Sequence, residues 1–153
     1  MMLKGGGSEN ASSQYKLPNG ELGAGRNLDG VRKCVLHAIN SVQGLGCAPG
    51  VVGVGIGGAR DTGFEAGKTA LFRKFGEPNP VPELDELERT LMSELNQLGI
   101  GPMGFGGKTT VLDVKCAALH RVPASFFVSV AYTCWALRRH TMTVTKEGVV
   151  SYD

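Results

Sequence analysis

Apolar residues recur at helical spacing from Leu28 to Val42, where Val31, Cys34, Val35, Ala38, Ile39 and Val42 share one stripe. Gly44 supplies the stop. A second stripe, Leu84, Leu87, Leu91, Leu95 and Leu98, predicts a helix from Pro82 to Leu98. Pro82 suits its first turn, Glu83, Asp85 and Glu86 complement its positive end, and Gly99 ends it. Between these helices, Val51 to Gly57 alternates Val and Ile with Gly, as expected of a buried strand pressed against another backbone. Thr62-Gly-Phe-Glu65 has capping-box spacing and predicts a short helix through about Phe75, broken by the proline-rich stretch up to Pro82. The last third reads as strand: Thr109 to Leu119, Ser125 to Thr133, then a hairpin of Thr141 to Thr145 with Val149 to Tyr152 across Lys146-Glu147-Gly148. Residues 1–27 read as irregular, with a Pro18-Asn19-Gly20 turn. No repeat or linker divides the chain. The expected fold is α+β, two helices packed on a mixed sheet.

The 153 residues suit one domain, and with 42% hydrophobic and 20% charged residues the balance is globular. A formal net charge of +2, with scattered basic residues, gives no electrostatic footprint for nucleic acid. The longest cationic run, Arg138-Arg139-His140, reads as a solvated strand edge. No segment approaches the ~20 apolar residues of a membrane span, and Met1-Met2-Leu3-Lys4 lacks a signal-peptide core. A cytoplasmic or organelle-matrix protein is the expectation.

Glycine is the outlier at 23 residues, about twice its ordinary share. Gly53 to Gly58 matches GxGxxG after a strand, but a dinucleotide site also needs a helix opening at the third glycine and an acid ~20 residues on. Here the capping signal comes late, the region for the acid is broken by prolines, and no second strand of a βαβ unit is evident. Gly106-Gly107-Lys108-Thr109-Thr110 resembles the end of a P-loop, yet Pro102 stands where that pattern needs glycine, and a strand follows. Lys4-Gly5-Gly6-Gly7 can form a backbone nest for a carboxylate or phosphate, with Lys4 adding charge, or a flexible tail.

The four cysteines lack CxxC spacing, so they are inert buried thiols or ligands brought together from distant points. Cys34, on a helix stripe, and Cys116, within a strand, read as core. Cys47 and Cys134 stand at turns beside strand ends, where a thiolate can face a cavity. His37, His120 and His140 read as structural or solvated.

Four segments, in order along nearly the whole chain, resemble the iron–sulfur class I fumarases and L(+)-tartrate dehydratases: Lys4 to Asn10, Gly46 to Gly58, Gly106 to Val114, and Pro123 to Tyr132 leading to Cys134. The resemblance implies that residues 1–153 are part of an α-type catalytic domain whose N-terminal part and β domain or subunit lie elsewhere. It implies a [4Fe–4S] cluster with one open iron, Cys47 and Cys134 as two of its three thiolate ligands, and backbone contact between Gly6-Gly7 and substrate. It implies reversible hydration of a C4 dicarboxylate, fumarate/malate or tartrate/oxaloacetate, by a higher-order oligomer. The catalytic base is expected from the β-type partner, so no catalytic residue is assigned here. One departure stands out. The family usually carries histidine before Pro123, facing substrate, and this chain has Val122, which implies reduced activity or an altered substrate. The competing expectations are a non-catalytic remnant that pairs with a β-type partner without a cluster, and a small nucleotide-binding module.

Overall fold

A computed structural model describes residues 1–152. The elements run β1 (Met2–Leu3), α1 (Gly6–Glu9), β2 (Ser13–Lys16), α2 (Leu28–Val42), a 3-10 turn (Gln43–Gly46), β3 (Gly50–Ile56), α3 (Arg60–Ala70) and α4 (Pro82–Gln97). A second 3-10 turn (Pro102–Gly104), β4 (Val111–Ala118), β5 (Phe127–Thr133), β6 (Arg138–Arg139), β7 (Met142–Val144) and β8 (Val150–Tyr152) follow. The main sheet has the order β2-β5-β3-β4, with β3 antiparallel to β5 and parallel to β4. This is the expected α+β fold on a mixed sheet, but three helices cover it, on both faces.

The pleat sorts the two faces by side-chain size. Val52, Val54 and Ile56 of β3 join Val128, Val130 and Tyr132 of β5 on one face, where Val31, Val35 and Ile39 of α2 and Leu87, Leu91 and Leu95 of α4 cover them. Asn27 caps α2 by accepting from the Gly30 N–H at 2.8 Å, and Arg32 joins α2 to α4 by donating to Glu94 at 2.9 Å. The opposite face of β3 carries Val51, Gly53 and Gly55. A Cβ at Gly55 would lie 1.9 Å from the Gly63 carbonyl oxygen, and one at Gly53 would lie 2.1 Å from that of Gly67. Helix α3 therefore rests backbone-to-backbone on the sheet, and this close packing explains the glycine-rich strand.

Helix α3 opens at Arg60, not Thr62. Thr62 is the third residue of the helix, and its hydroxyl reaches back to accept from the Ala59 N–H at 2.9 Å. The helix also stops at Ala70, short of Phe75, because the N–H groups of Leu71, Phe72 and Arg73 bond three residues back in a tightened last turn. The strand absent from the sequence reading of a βαβ unit is β4, which pairs in parallel with β3 after a long crossover through α3 and α4. Two helices in one connection spread the unit beyond its usual length.

Strand β4 lies at the sheet edge, and side chains occupy its outward backbone groups. The Thr110 and Val111 N–H groups donate to Asn96 Oδ1 at 2.7 and 3.0 Å. The Cys116 N–H donates to Glu88 at 2.6 Å, and Asn79 Nδ2 donates to the Cys116 carbonyl at 2.9 Å. An edge so occupied does not invite another strand. The expected hairpin forms as β7 and β8, with Met142 opposite Tyr152 and Val144 opposite Val150.

Residues 1–27 are more ordered than their composition indicates. Strand β2 pairs with β5, and β1 pairs with β6 across more than 130 residues of sequence. Neither short strand has the apolar alternation that marks one; long-range pairing makes them.

Candidate functional site

Cys47 ends the first 3-10 turn in a left-handed conformation, φ 58° and ψ 62°, with its N–H donating to the Gly44 carbonyl at 3.0 Å. The chain then enters β3. Cys134 leaves the end of β5, and antiparallel pairing of Val51 with Thr133 brings that end beside the start of β3. The Trp135 N–H completes the approach by donating to the Cys47 carbonyl at 3.4 Å. Two cysteines separated by most of the chain thus meet at one end of the sheet.

Tyr132 forms the floor beneath them, and the sequence reading missed it. Its ring is buried against the turn so closely that a Cβ at Gly46 would lie 2.5 Å from a ring carbon, and one at Gly50 would lie 2.1 Å from another. Burial pushes the Tyr132 phenol well above its ordinary range, and the Cys134 and Cys47 thiols raise it further. The signal was present, since Tyr132 stands near the end of β5, two residues before Cys134.

The triple-glycine segment reaches this end as well. It forms not a nest but the single turn α1, which packs against β5 and the 3-10 turn before Cys47. The Tyr132 N–H donates to Ser12 Oγ at 3.4 Å just beyond it. Lys4 does not stand free for an anion; it donates to Glu9 at 2.7 Å, and Lys68 of α3 donates to the other Glu9 oxygen at 2.6 Å. Nothing within the chain requires glycine at 5–7. None has positive φ, and a Cβ at each would point into open space.

Hydrogen bonding first to Lys4 and then to Lys68 holds the Glu9 carboxyl below its ordinary range. A depressed folded-state value means that this latch is complete above the unfolded carboxylate value. It is lost as pH falls through the lower folded one. Amide exchange across Gly5 to Asn10, corrected for intrinsic pH dependence, is expected to rise as pH falls through the acid range. Glu9→Gln should raise it at neutral pH and remove that response.

Cys34 and Cys116 are core, as expected. Burial pushes the Cys34 thiol up to about 11, and burial with the nearby Glu88 raises Cys116. Cys47 and Cys134 are free and only half-buried. Among the described residues no three His, Cys, Asp or Glu side chains are grouped to hold a metal ion. Two half-buried thiols thus stand at this end of the sheet, and thiolate sulfur is the donor type an iron–sulfur cluster takes. The Thr133 hydroxyl between Tyr132 and Cys134 is buried without a hydrogen-bond partner.

Val122 is elsewhere. It is 62% exposed on the loop before β5, in a groove of about 660 Å³ with Gly58, Thr62, His120 and Arg121. Strand β5 separates it from Cys134 by about 20 Å at ordinary strand rise. Within one chain, position 122 does not meet the cysteines. That groove lies where the GxGxxG turn enters α3, but Leu119 and His120 follow β4 where a dinucleotide site needs an acid. Lys108 and Thr109 lead into strand β4, so no P-loop forms.

Two thiols and a glycine turn thus come to one end of the sheet in a layered α+β domain. The chain belongs to the fumarate hydratase (Fumerase) family, whose model matches residues 1–143. It is 56% identical over 142 residues to a putative fumarate hydratase class I of Geobacillus stearothermophilus, covering 91% of this chain and 28% of that protein. It is 41% identical over 138 residues to a putative L(+)-tartrate dehydratase subunit alpha of Methanocaldococcus jannaschii, covering 89% of this chain and 46% of that one. The L(+)-tartrate dehydratase subunit alpha of Escherichia coli K12 is 38% identical over 116 residues, 76% of this chain and 38% of its own length. The chain thus spans less than half the length of these relatives. No helix among the described residues is long and apolar enough to cross a membrane.

Proposed function

We propose that this chain is part of the α-type catalytic domain of an iron–sulfur hydro-lyase that reversibly hydrates a C4 dicarboxylate. The observation that carries this reading is the convergence of Cys47, Cys134 and the Gly6-Gly7 turn at one end of the sheet. The relatives' names support the substrate class, as fumarate hydratase and tartrate dehydratase share C4 diacid chemistry.

Cys47 and Cys134 hold a [4Fe–4S] cluster as thiolates, with the third ligand from outside residues 1–153. When bound, the cluster supplies a Lewis-acidic iron that polarises the hydroxyl leaving or entering the substrate. This chain positions and shields. The Gly6 and Gly7 backbone lies open for approach by a carboxylate, with no side chain in the way. The buried Tyr132 ring packs beneath the turn that carries Cys47 and keeps that turn in place. The proton on the neighbouring carbon is removed by a group of a β-type subunit or domain, joined to this chain in a larger oligomer. Four free cysteines suit a reducing compartment, the cytoplasm or an organelle matrix.

A two-thiol site also favours a second reading, a cluster-free remnant that only pairs with the β-type partner. Anaerobic iron–sulfur reconstitution separates the two, using the chain alone and then completed by its N-terminal part and partner. Stoichiometric iron and sulfide with malate-to-fumarate or tartrate turnover in the completed assembly is the expected result. No cluster and no turnover there would leave the remnant.

A further inference from the structure

Resting on that reading, we propose that Arg139 is a positioning residue, fixing the Gly6-Gly7 turn relative to Cys134 through helix α3 and the β1–β6 pair. The basic run containing it is no solvated edge at this residue. The Arg139 guanidinium donates to the carbonyls of Leu71, Phe72 and Arg73 at 3.1, 2.6 and 2.9 Å, and it lies 5.8 Å from the centre of the Phe75 ring. These carbonyls follow α3, where a cation is favoured by the helix dipole and by acceptors left without helical partners. A planar fork reaching three carbonyls fixes direction as well as distance.

Arg139 also belongs to β6, five residues after Cys134. Its backbone pairs with Met2, and Arg138 pairs with Leu3. The bonds continue one step further: the Met1 nitrogen donates to the His140 carbonyl at 3.0 Å, and the His140 N–H donates to the Met1 carbonyl at 3.2 Å. Met2 and Leu137 both pad the small cluster of Val51, Leu71 and Ala131. The glycine turn begins immediately after β1. Its far end is tied to the same helix by Glu9 and Lys68. Helix α3 thus acts as a splint gripped at two points, one for the glycine turn and one for the strand that follows Cys134. A two-residue pairing such as β1–β6 does not persist unaided; the Arg139 anchor supplies the fixed strand on which it forms.

The test is hydrogen–deuterium exchange on the full chain, comparing Arg139→Gln and Arg139→Lys with the unchanged protein. Arg139→Gln is expected to speed exchange across Leu3 to Asn10 by about tenfold or more while α2 and α4 keep their protection. Arg139→Lys, a cation without the fork, should recover part of the protection. Unchanged exchange in that segment, or an equal rise in α4, would overturn the proposal, the second because it marks general destabilisation. In the completed enzyme, Arg139→Gln should raise KM for the dicarboxylate several-fold with kcat within about twofold, the pattern of lost uniform binding. Normal KM in an active assembly would also overturn it. If the unchanged assembly neither loads a cluster nor turns over, the hydro-lyase reading fails, and the exchange arm alone decides whether Arg139 couples the two segments.

Discussion

Serine at Cys47 or Cys134 is expected to abolish iron–sulfur loading of the completed assembly while leaving the fold intact. The substitution removes one soft donor and replaces it with a hydroxyl that is not ionised near neutral pH. Neither side chain carries the core. Both are half-buried, and the local geometry at Cys47 is held by backbone bonds from Trp135 and to Gly44 that serine can also make. The loss should exceed the ~10–100-fold that removal of an outer-shell partner costs a metal site, because on the proposed reading a ligand itself is removed. Cys34→Ser is the control. Cys34 is buried on α2, so its replacement should lower stability while leaving iron per folded chain unchanged. Iron and sulfide analysis on refolded, size-selected material reads both. Equal loading in Cys47→Ser, Cys134→Ser and the unchanged chain would remove these residues from the ligand set.

The largest expected loss of stability comes from Glu88→Ala. This carboxylate of α4 accepts from Arg73 at 2.6 and 3.2 Å, from Asn79 at 2.7 Å and from the Cys116 N–H at 2.6 Å. It is 6% exposed, and Arg73 Nε already lacks a partner. Alanine takes this acceptor from all three at once, leaving Arg73 only the Glu77 carbonyl, Asn79 only the Cys116 carbonyl, and the edge-strand N–H nothing. Removing one side of such a pair costs ~3–5 kcal/mol, and the partial exposure of Arg73 sets the expectation at about 3. A domain stable by ~5–15 kcal/mol would lose a large share of its margin. Glu88→Gln keeps an acceptor for the strand and should cost less. Urea unfolding with an unchanged m-value is the measurement, and a loss under ~1 kcal/mol would show that the cluster of polar groups is rearranged without it.

The apolar surface lies differently from a simple truncated sheet. Strand β3 is buried throughout and β5 nearly so. The large exposed apolar side chains instead include Leu45, Met103, Phe105 and Trp135 around the Cys47 end, and Met142, Val144, Val150 and Tyr152 on the terminal hairpin. Among the residues of the other strands, Leu3 of β1 and Leu112 of β4 are exposed as well.

Helices α2 and α4 and the β7–β8 hairpin were legible in sequence because each declares itself locally, through a leucine or valine stripe, a capping residue, or a turn tripeptide. The four family segments were legible for a similar reason, as ordered short strings. What the sequence could not yield were the interactions whose partners lie far apart. Strands β1 and β2 exist because β6 and β5 bond to them, and Arg139 looks like part of a solvated run until α3 presents its carbonyls. Thr62 shows the boundary between the two kinds of information. Its capping role is written locally, but whether it caps as the first or the third residue depends on where α3 can rest on Gly53 and Gly55.

The sequence by itself determined the fold class, the inert character of Cys34 and Cys116, and the choice of Cys47 and Cys134 as the thiols worth following. Tertiary structure alone decided that those two meet over Tyr132, that the glycine turn joins them, and that Val122 lies at the opposite end of the strand. The reason is physical. Periodicity and capping are properties of neighbouring residues, whereas register between strands is fixed by which faces can be buried together, and register places Cys134 beside Cys47.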